Sequence, residues 1–211
     1  LPESIFTIGS PDVDIMFSEQ LPNLHDVRQY YNIPFEIYAV AMFHPVTTEI
    51  EDIKVYADNF INALLESQKN YVVIYPNNDL GSQYILEGYQ QLKNHPNFRV
   101  FPSLRFEYFL TLLKQAKFII GNSSAGVREA PYYGIPTINI GTRQQNRSLN
   151  HDIINTSYDV KDILEAINSV KDYTPKITSF GQGNSASEFL NALHDKDLWN
   201  INHQKQFRDL V

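Results

Sequence analysis

The chain has 211 residues, a formal net charge of −7 and 43% hydrophobic residues, and it contains no cysteine. This length is sufficient for a domain with a substantial core. Without cysteine, neither a disulfide framework nor a thiolate metal site is available, and the composition fits a cytoplasmic protein. The negative charge argues against general nucleic-acid binding, which needs a basic face, but a few local donors suffice for a single nucleotide. No apolar run is long enough to cross a membrane, so we expect no membrane partner. The net charge likewise leads us to expect no nucleic acid as a partner.

The first predicted elements are short. Residues 4–8 form an apolar run that predicts a strand. Residues 11–16 predict a helical turn that Ser10 or Asp12 can cap, and residues 23–31 predict a weak helix.

From residue 35 onward, predicted strands and helices alternate. The strands are short, nearly continuous apolar runs, at 35–43, 71–75, 98–101, 118–120, 137–140 and 153–155. Apolar residues at helical spacing predict helices between and after them, at 47–69, 81–93, 106–116, 124–133, 160–170 and 185–193. This alternation predicts an α/β fold, a doubly wound parallel sheet with helices on both faces.

The turn after the fourth of these strands consists of small polar residues, Gly121-Asn122-Ser123-Ser124. Ser123 or Ser124 can cap the following helix. Such a turn leaves N–H groups free at a helix N-terminus, beside hydroxyl groups, and this arrangement favours phosphate. βα turns of this composition are common as ordinary turns with an N-cap, so the pattern by itself favours that interpretation and leaves phosphate binding open.

Polar groups follow five successive predicted strands. They are His44-Pro45, Asn77, Ser103, Asn122-Ser123-Ser124 and Gly141-Thr142-Arg143. Ligands of parallel α/β sheets bind at the carboxyl ends of the strands. The convergence of these groups on one edge of the sheet therefore predicts a phosphate or nucleotide site.

Each of these residues also has an ordinary structural interpretation. His44 fits a partly buried histidine with a satisfied ring, and Asn77 fits an Asx turn. Arg143 fits a solvated loop charge or a partner for Glu129, whose carboxylate the helix dipole favours near a helix start. The six histidines include no close pair, so no metal site is predicted.

Several motifs together resemble the UDP-N-acetylglucosamine 2-epimerase family. They are Gly-Asn-Ser-Ser-x-Gly-x-Arg-Glu at 121–129, Gly-Thr-Arg-Gln at 141–144 and His-Pro-Val-Thr-Thr-Glu at 44–49. The family has two branches, and at 44–48 and 141–144 the chain is similar to the hydrolysing branch. The other, non-hydrolysing branch makes UDP-N-acetylmannosamine. The hydrolysing branch makes free N-acetylmannosamine for sialic acid, or a diacetamido relative for legionaminic-type acids.

The resemblance implies a two-domain, GT-B-like epimerase with its active site between two Rossmann-like domains. This chain would correspond to the C-terminal domain, with a UDP-binding domain at 1–180 and a C-terminal helix and tail at 181–211. The N-terminal domain, which carries the acid and base carboxylates in the family, would be absent from this chain. The isolated chain is then expected to be inactive, and the full-length protein to be a homodimer.

The resemblance also implies roles for individual residues in UDP binding. Ser123 and Ser124 would hold the diphosphate, and Asn122 of the same turn would also bind UDP. Glu129 would accept both ribose hydroxyl groups, an arrangement that suits a carboxylate. Asn77 would contact the nucleotide or the phosphate.

Other residues would bind the uracil and stabilise the leaving group. The backbone at Ser103 and Leu104 would read the uracil edge. The predicted catalytic residues are His44, beside the phosphates, and Arg143, as a further cation. These groups would stabilise charge on UDP as it leaves C1, after which water would add to the glycal. No metal and no other cofactor is expected.

Three alternatives remain open from the sequence. The first is a UDP-2,4-diacetamido-trideoxyglucose 2-epimerase of the same branch. The second is the C-terminal domain of a UDP-sugar glycosyltransferase. The third is a nucleotide-binding module that lacks activity without its N-terminal half.

Overall fold

The computed structural model of the chain describes residues 5–145, 147, 153–171 and 180–201. In these ranges the strands are β1 Ala39–Met42, β2 Tyr71–Ile74, β3 Phe98–Phe101, β4 Ile119–Gly121, β5 Thr137–Ile140 and β6 Ile153–Thr156. The α-helices are α1 Pro11–Met16, α2 Leu24–Tyr30, α3 Ile53–Glu66, α4 Ser82–Tyr89, α5 Phe106–Gln115, α6 Ala125–Arg128, α7 Val160–Ser169, α8 Ser185–His194 and α9 Lys196–Trp199. Short 3₁₀ helices lie at Thr47–Glu49 and Ala130–Tyr133.

The strands form one parallel sheet in the order β3-β2-β1-β4-β5-β6. Val40 of β1 pairs with Val72 of β2 on one side and with Ile119 of β4 on the other. From the β1–β4 pair, successive strands are added outward in opposite directions, so the strand order reverses between β1 and β4. This is the strand order of the Rossmann fold, and it confirms the predicted doubly wound parallel sheet.

Inner strands of the sheet are continuous apolar runs because both of their faces are buried. Every residue of β2 and β5 is buried. On one face α3 packs against α4 and α7, and the rings of Phe43 and Phe60 stack with centroids 4.8 Å apart. Elsewhere α2 packs against α5. Burial of each large apolar side chain contributes about 1.5–3 kcal/mol, so the packed strands hold their carboxyl ends in fixed positions.

The chain divides into two compact units. The larger unit comprises residues 20–178 and contains the whole sheet. The smaller unit combines residues 1–19 with 179–211. In it, the Asp14 carboxylate accepts hydrogen bonds from the backbone N–H groups of Ser185 and Ala186, at 3.0 and 3.1 Å, and so caps α8.

Several predicted elements differ from the structure, among them the predicted strand at 35–43, of which only Ala39–Met42 form β1. The described part of the predicted strand at 4–8 is not a strand and pairs with no other strand. The predicted helix at 47–69 begins as a 3₁₀ turn, and α3 starts only at Ile53. The predicted helix at 124–133 breaks after Arg128 and continues as a 3₁₀ helix, because Pro131 has no N–H for a continuous α-helical ladder.

Among the helices that the structure describes, none is both long enough and apolar enough to cross a membrane. Part of the predicted C-terminal tail, residues 202–211, lies outside the described residues.

Candidate functional site

The polar strand ends meet where the order of strands reverses. His44 follows β1 and Asn122 follows β4, and these two strands are neighbours in the sheet. In open α/β sheets this reversal leaves a crevice beyond the carboxyl ends of the strands, where ligands bind. The predicted convergence of strand-end residues is thus found at this reversal of strand order, where ligands of such sheets usually bind.

The side chain of Asn122 joins the ends of β1 and β4. Its Oδ1 accepts a hydrogen bond from the backbone N–H of His44 at 2.7 Å, and its Nδ2 donates to the carbonyl oxygen of His44 at 2.8 Å. The backbone N–H of Asn122 donates to the carbonyl of Met42 at 3.1 Å. Asn122 is completely buried. Its amide therefore continues the β1–β4 ladder after the strands themselves have ended.

Gly121 permits this close approach of the two strands. It has a φ of 132°, which favours glycine, and a Cβ at this position would overlap the carbonyl group of Met42. The backbone of β4 can therefore turn directly over β1 and place Asn122 next to His44.

The imidazole of His44 links β1 to β2. Its Nδ1 accepts a hydrogen bond from the backbone N–H of Asn77 at 3.0 Å. Burial, and then the positive charge of Arg143, lower the pKa of His44 to about 4. At pH 7 the ring is therefore neutral, and because Nδ1 is an acceptor, its proton lies on Nε2. Without a ligand, His44 offers a single N–H donor rather than a positive charge.

Arg143 and Gln144 hold the loop after β5 against the same turn. Arg143 Nη1 and Gln144 Nε2 donate to the carbonyl oxygen of Asn122 at 3.2 and 2.8 Å. Arg143 thus contacts the Asn122 turn rather than forming the alternative pair with Glu129. Burial lowers the pKa of Arg143 from its ordinary value, although a guanidinium remains charged at pH 7.

Gln144 is a residue that the sequence analysis did not single out. Its side chain is buried, and its Oε1 accepts no hydrogen bond from the residues that the structure describes. The available signal was its position in the Gly-Thr-Arg-Gln motif, directly after Arg143.

The turn at Ser123 and Ser124 is an N-cap, but the helix that follows is short. Ser123 Oγ accepts a hydrogen bond from the backbone N–H of Ala125 at 3.3 Å, whereas the side chain of Ser124 forms no cap. Because α6 has only four residues, its dipole is smaller than the predicted ten-residue helix would provide. In the described part of the chain, the backbone N–H groups of Ser123 and Ser124 donate to no acceptor. These two half-buried N–H groups, with the hydroxyls, are the donors available to an anion.

Asn77 lies at the end of β2 and does not form the Asx turn that its sequence context suggested. Its Nδ2 donates to the carboxylate of Asp79, while its buried Oδ1 accepts no hydrogen bond within the described ranges. Through its backbone N–H it orients the ring of His44. The structure thus brings Asn77 into the group around His44 and Asn122.

The remaining predicted site residues lie on other segments of the chain. Glu129 follows α6 and is buried. Ser103 and Leu104 follow β3, at the edge of the sheet, and Ser103 is exposed. Their loop is held by the backbone N–H of Arg105, which donates to the hydroxyl of Tyr31 at 3.0 Å. The roles of Glu129, Ser103 and Leu104 stay predictions.

The acidic and histidine side chains of the described residues form no group of three or more that could hold a metal ion. The titratable groups that influence His44 are Arg143 and Asp79. Alongside the Asp79 carboxylate, the arrangement offers the N–H donors of Ser123, Ser124 and His44 and the positive charge of Arg143, and these groups suit the binding of an anion.

The strand order, together with donors at its reversal point, defines a Rossmann-like α/β domain, a class that binds nucleotides at this position. A model of the UDP-N-acetylglucosamine 2-epimerase family matches residues 1–194 of the chain. The chain belongs to this family.

Curated relatives agree with this assignment. A UDP-N-acetylglucosamine 2-epimerase of Neisseria meningitidis serogroup B is 46% identical over 211 residues, covering 98% of this chain and 56% of the relative. The polysialic acid biosynthesis protein P7 of Escherichia coli is 31% identical over 173 residues, covering 81% and 44%. A hydrolysing UDP-N,N′-diacetylbacillosamine 2-epimerase of Legionella pneumophila is 29% identical over 174 residues, covering 80% and 46%. The chain spans about half the length of the curated relatives it matches.

Solved structures show the same fold. The UDP-N-acetylglucosamine 2-epimerase of Methanocaldococcus jannaschii, in complex with UDP-N-acetylglucosamine and UDP, superimposes with a TM-score of 0.67 at 17% identity. The match covers 90% of this chain and 54% of that one. At this identity the likeness establishes the fold alone.

Proposed function

We propose that this chain is the UDP-binding half of a hydrolysing UDP-N-acetylglucosamine 2-epimerase. The observation that carries the proposal is the hydrogen-bonded group at the strand reversal, in a chain of this family. There Asn122 joins His44 to Arg143, directly beside the unengaged N–H groups of Ser123 and Ser124. Such a group can hold a diphosphate without a metal ion.

In the proposed reaction, a base removes the proton at C2 of the sugar while the C1–oxygen bond to UDP breaks, which forms a glycal. Water then adds across the double bond with inverted configuration at C2, and free N-acetylmannosamine results. The C2 proton is only weakly acidic, so the departure of UDP needs strong assistance. We place the acid and base carboxylates on an N-terminal domain outside this chain.

The residues of this chain would assist the leaving group. The N–H groups of Ser123 and Ser124 would bind the diphosphate, and Arg143 would supply a fixed positive charge. His44 would donate its Nε2–H to a phosphate oxygen. Burial, and then repulsion by Arg143, hold the pKa of His44 low, and an anion at this position would favour protonation of the ring because it would offset that repulsion.

The nucleoside would be held by residues on either side of this group. Glu129 would accept the ribose hydroxyls, the backbone at Ser103 and Leu104 would bind uracil, and Asn77 would contact the nucleotide. The unpartnered, buried Oδ1 of Asn77 supports a ligand contact there.

The hydrolysing outcome is supported by the motifs at 44–48 and 141–144 and by the Legionella relative, whose name specifies hydrolysis. That same relative favours a second substrate, the UDP-linked 2,4-diacetamido-trideoxy sugar. Membership of the epimerase family favours either sugar over a glycosyltransferase reaction. We further propose a cytoplasmic location and a homodimeric full-length protein.

Product analysis in isotopically labelled water tests the proposed reaction. We expect the full-length protein, given UDP-N-acetylglucosamine alone in D₂O, to release UDP and free N-acetylmannosamine that carries deuterium at C2. In H₂¹⁸O the free sugar should carry ¹⁸O at C1, and the released UDP should contain no ¹⁸O. Elimination and hydration require both labels, because the C2 proton and the C1 oxygen would come from solvent.

Two results would contradict the proposal, the first its hydrolysing mechanism and the second its substrate. UDP-N-acetylmannosamine as the final product, without ¹⁸O, would place the protein with the non-hydrolysing enzymes. Turnover only of the 2,4-diacetamido substrate, assayed in parallel, would keep the mechanism but change the sugar.

A further inference from the structure

A carboxylate close to the site has both of its oxygens engaged by hydroxyl groups from another part of the sheet. Glu49 ends the 3₁₀ turn that follows His44, and it is half-buried. Its Oε1 accepts a hydrogen bond from Thr142 Oγ1, and its Oε2 accepts one from the Tyr158 hydroxyl at 2.7 Å. In the part of the chain that the structure describes, no basic side chain pairs with Glu49.

The ring of Tyr158 provides a rigid support for this contact. It stacks on Tyr56 with centroids 3.7 Å apart and an interplanar angle of 8°, and it meets the ring of Phe43 edge-on. Burial and the neighbouring Glu49 raise the pKa of Tyr158, so its hydroxyl keeps the proton that it donates.

The loop after β5 lies directly on this ring. Gly141 has a φ of 71°, and a Cβ there would overlap the ring of Tyr158. Its N–H donates to the carbonyl of Thr156 at 3.0 Å. Only glycine allows the backbone to pass so close, and the next residue, Thr142, is thereby presented to Glu49.

These contacts connect the two sides of the phosphate turn. Glu49 belongs to the segment after β1, and Thr142 and Arg143 belong to the loop after β5, while β4 and its Ser123-Ser124 turn lie between them. The loop after β5 is therefore fixed twice: through Arg143 and Gln144 to the carbonyl of Asn122, and through Thr142 to Glu49.

We propose that Glu49 is a positioning residue, which sets Arg143 relative to His44 across the phosphate turn without contacting the ligand. The proposal rests on the proposed function of the site. A carboxylate suits this task because it offers acceptors on both oxygens to two hydroxyl donors from different elements, whereas a glutamine offers only one acceptor oxygen. A residue that merely stabilised the loop would contribute to the stability of the fold but would not affect the contribution of Arg143 to UDP binding.

UDP affinity of the full-length protein, measured by calorimetry, tests this role. We expect Glu49→Gln to weaken UDP binding roughly tenfold, since small displacements of a charged group are costly in a preorganised site. Thr142→Val and Tyr158→Phe each remove one hydroxyl donor and should weaken binding several-fold. Thr142→Ser keeps the donor and should recover most of the affinity. Tyr56→Phe, which keeps the stacked ring, is the control and should bind UDP as the wild type does.

A double variant distinguishes positioning from simple stabilisation. If Glu49 acts through Arg143, then Glu49→Gln combined with Arg143→Ala should bind UDP within about twofold of Arg143→Ala alone. The inference would be overturned if the double variant lost UDP affinity by the product of the two single-variant losses, or if Glu49→Gln bound UDP as the wild type does. Either result would leave the proposed function intact. If Glu49→Gln fails to fold, the comparison of Thr142→Val with Thr142→Ser decides in the same way. A wild-type protein that does not bind UDP would overturn both.

Discussion

Replacing Asn122 with alanine is expected to weaken UDP binding by at least about 100-fold and to lower the free energy of unfolding by about 3 kcal/mol. The substitution leaves the backbone N–H and C=O of His44 without their partner, and each unsatisfied buried group costs about 1–3 kcal/mol. It also removes the link between the ends of β1 and β4, so the positions of His44 and Arg143 relative to each other are no longer fixed. Urea denaturation and calorimetric titration with UDP measure the two effects separately.

A second buried asparagine provides the control for this experiment. Asn139 on β5 is also buried, and its Nδ2 donates to Asn155 Oδ1 at 2.8 Å, outside the group around His44. Asn139→Ala should therefore destabilise the protein yet leave UDP affinity close to that of the wild type. Equal UDP affinity in Asn122→Ala and the wild type would show that the link between β1 and β4 is not part of the ligand site.

Glu129→Ala is expected to weaken UDP binding by at least about 100-fold, because a hydrogen bond to a charged group contributes about 1.5–3 kcal/mol and this carboxylate would lose two of them. The ligand 2′-deoxy-UDP makes the test specific to ribose. The wild type should prefer UDP over 2′-deoxy-UDP, and the variant should bind both alike, as calorimetry in the full-length protein would measure.

Two further results decide the assignment of Glu129. Glu129→Gln keeps the shape of the side chain with one acceptor oxygen, and it should fall between the wild type and Glu129→Ala. If Glu129→Ala retained the preference for UDP over 2′-deoxy-UDP, the carboxylate would not be the ribose acceptor.

Much of the fold follows from local patterns in the sequence. The apolar runs at 71–75 and 137–140 predict strands that are buried on both faces, and the structure contains β2 and β5 there. Because parallel strands end on one edge, the residues after them were expected to converge. His44, Asn77, Asn122 and Arg143 are indeed connected by hydrogen bonds.

The contacts that organise the site depend on distant parts of the chain and were not predicted. The motif identifies Asn122 as a turn residue, but its bridge to His44 spans 78 residues. The contact of Glu49 with Tyr158 spans 109 residues, and no local pattern indicates it. The buried Gln144 was missed for the same reason, since burial depends on the packed loop.

Local predictions were wrong where tertiary context overrides propensity. The apolar residues after Ser4 suggested a strand, yet the segment enters the smaller unit, where the N–H of Ser10 donates to the carbonyl of Phe180. The helix after Ser124 was predicted to be continuous, although Pro131 divides it. That break makes the N–H groups of the turn, rather than the helix dipole, the main feature available to phosphate.

We propose that the turn between β4 and α6 holds the diphosphate of UDP, and a crystal structure of the full-length protein with UDP tests this placement most directly. We expect phosphate oxygens within hydrogen-bonding distance of the Ser123 and Ser124 N–H groups, with His44 Nε2 and the Arg143 guanidinium beside them. UDP bound at another edge of the sheet, or with its diphosphate turned away from Ser123 and Ser124, would contradict the account.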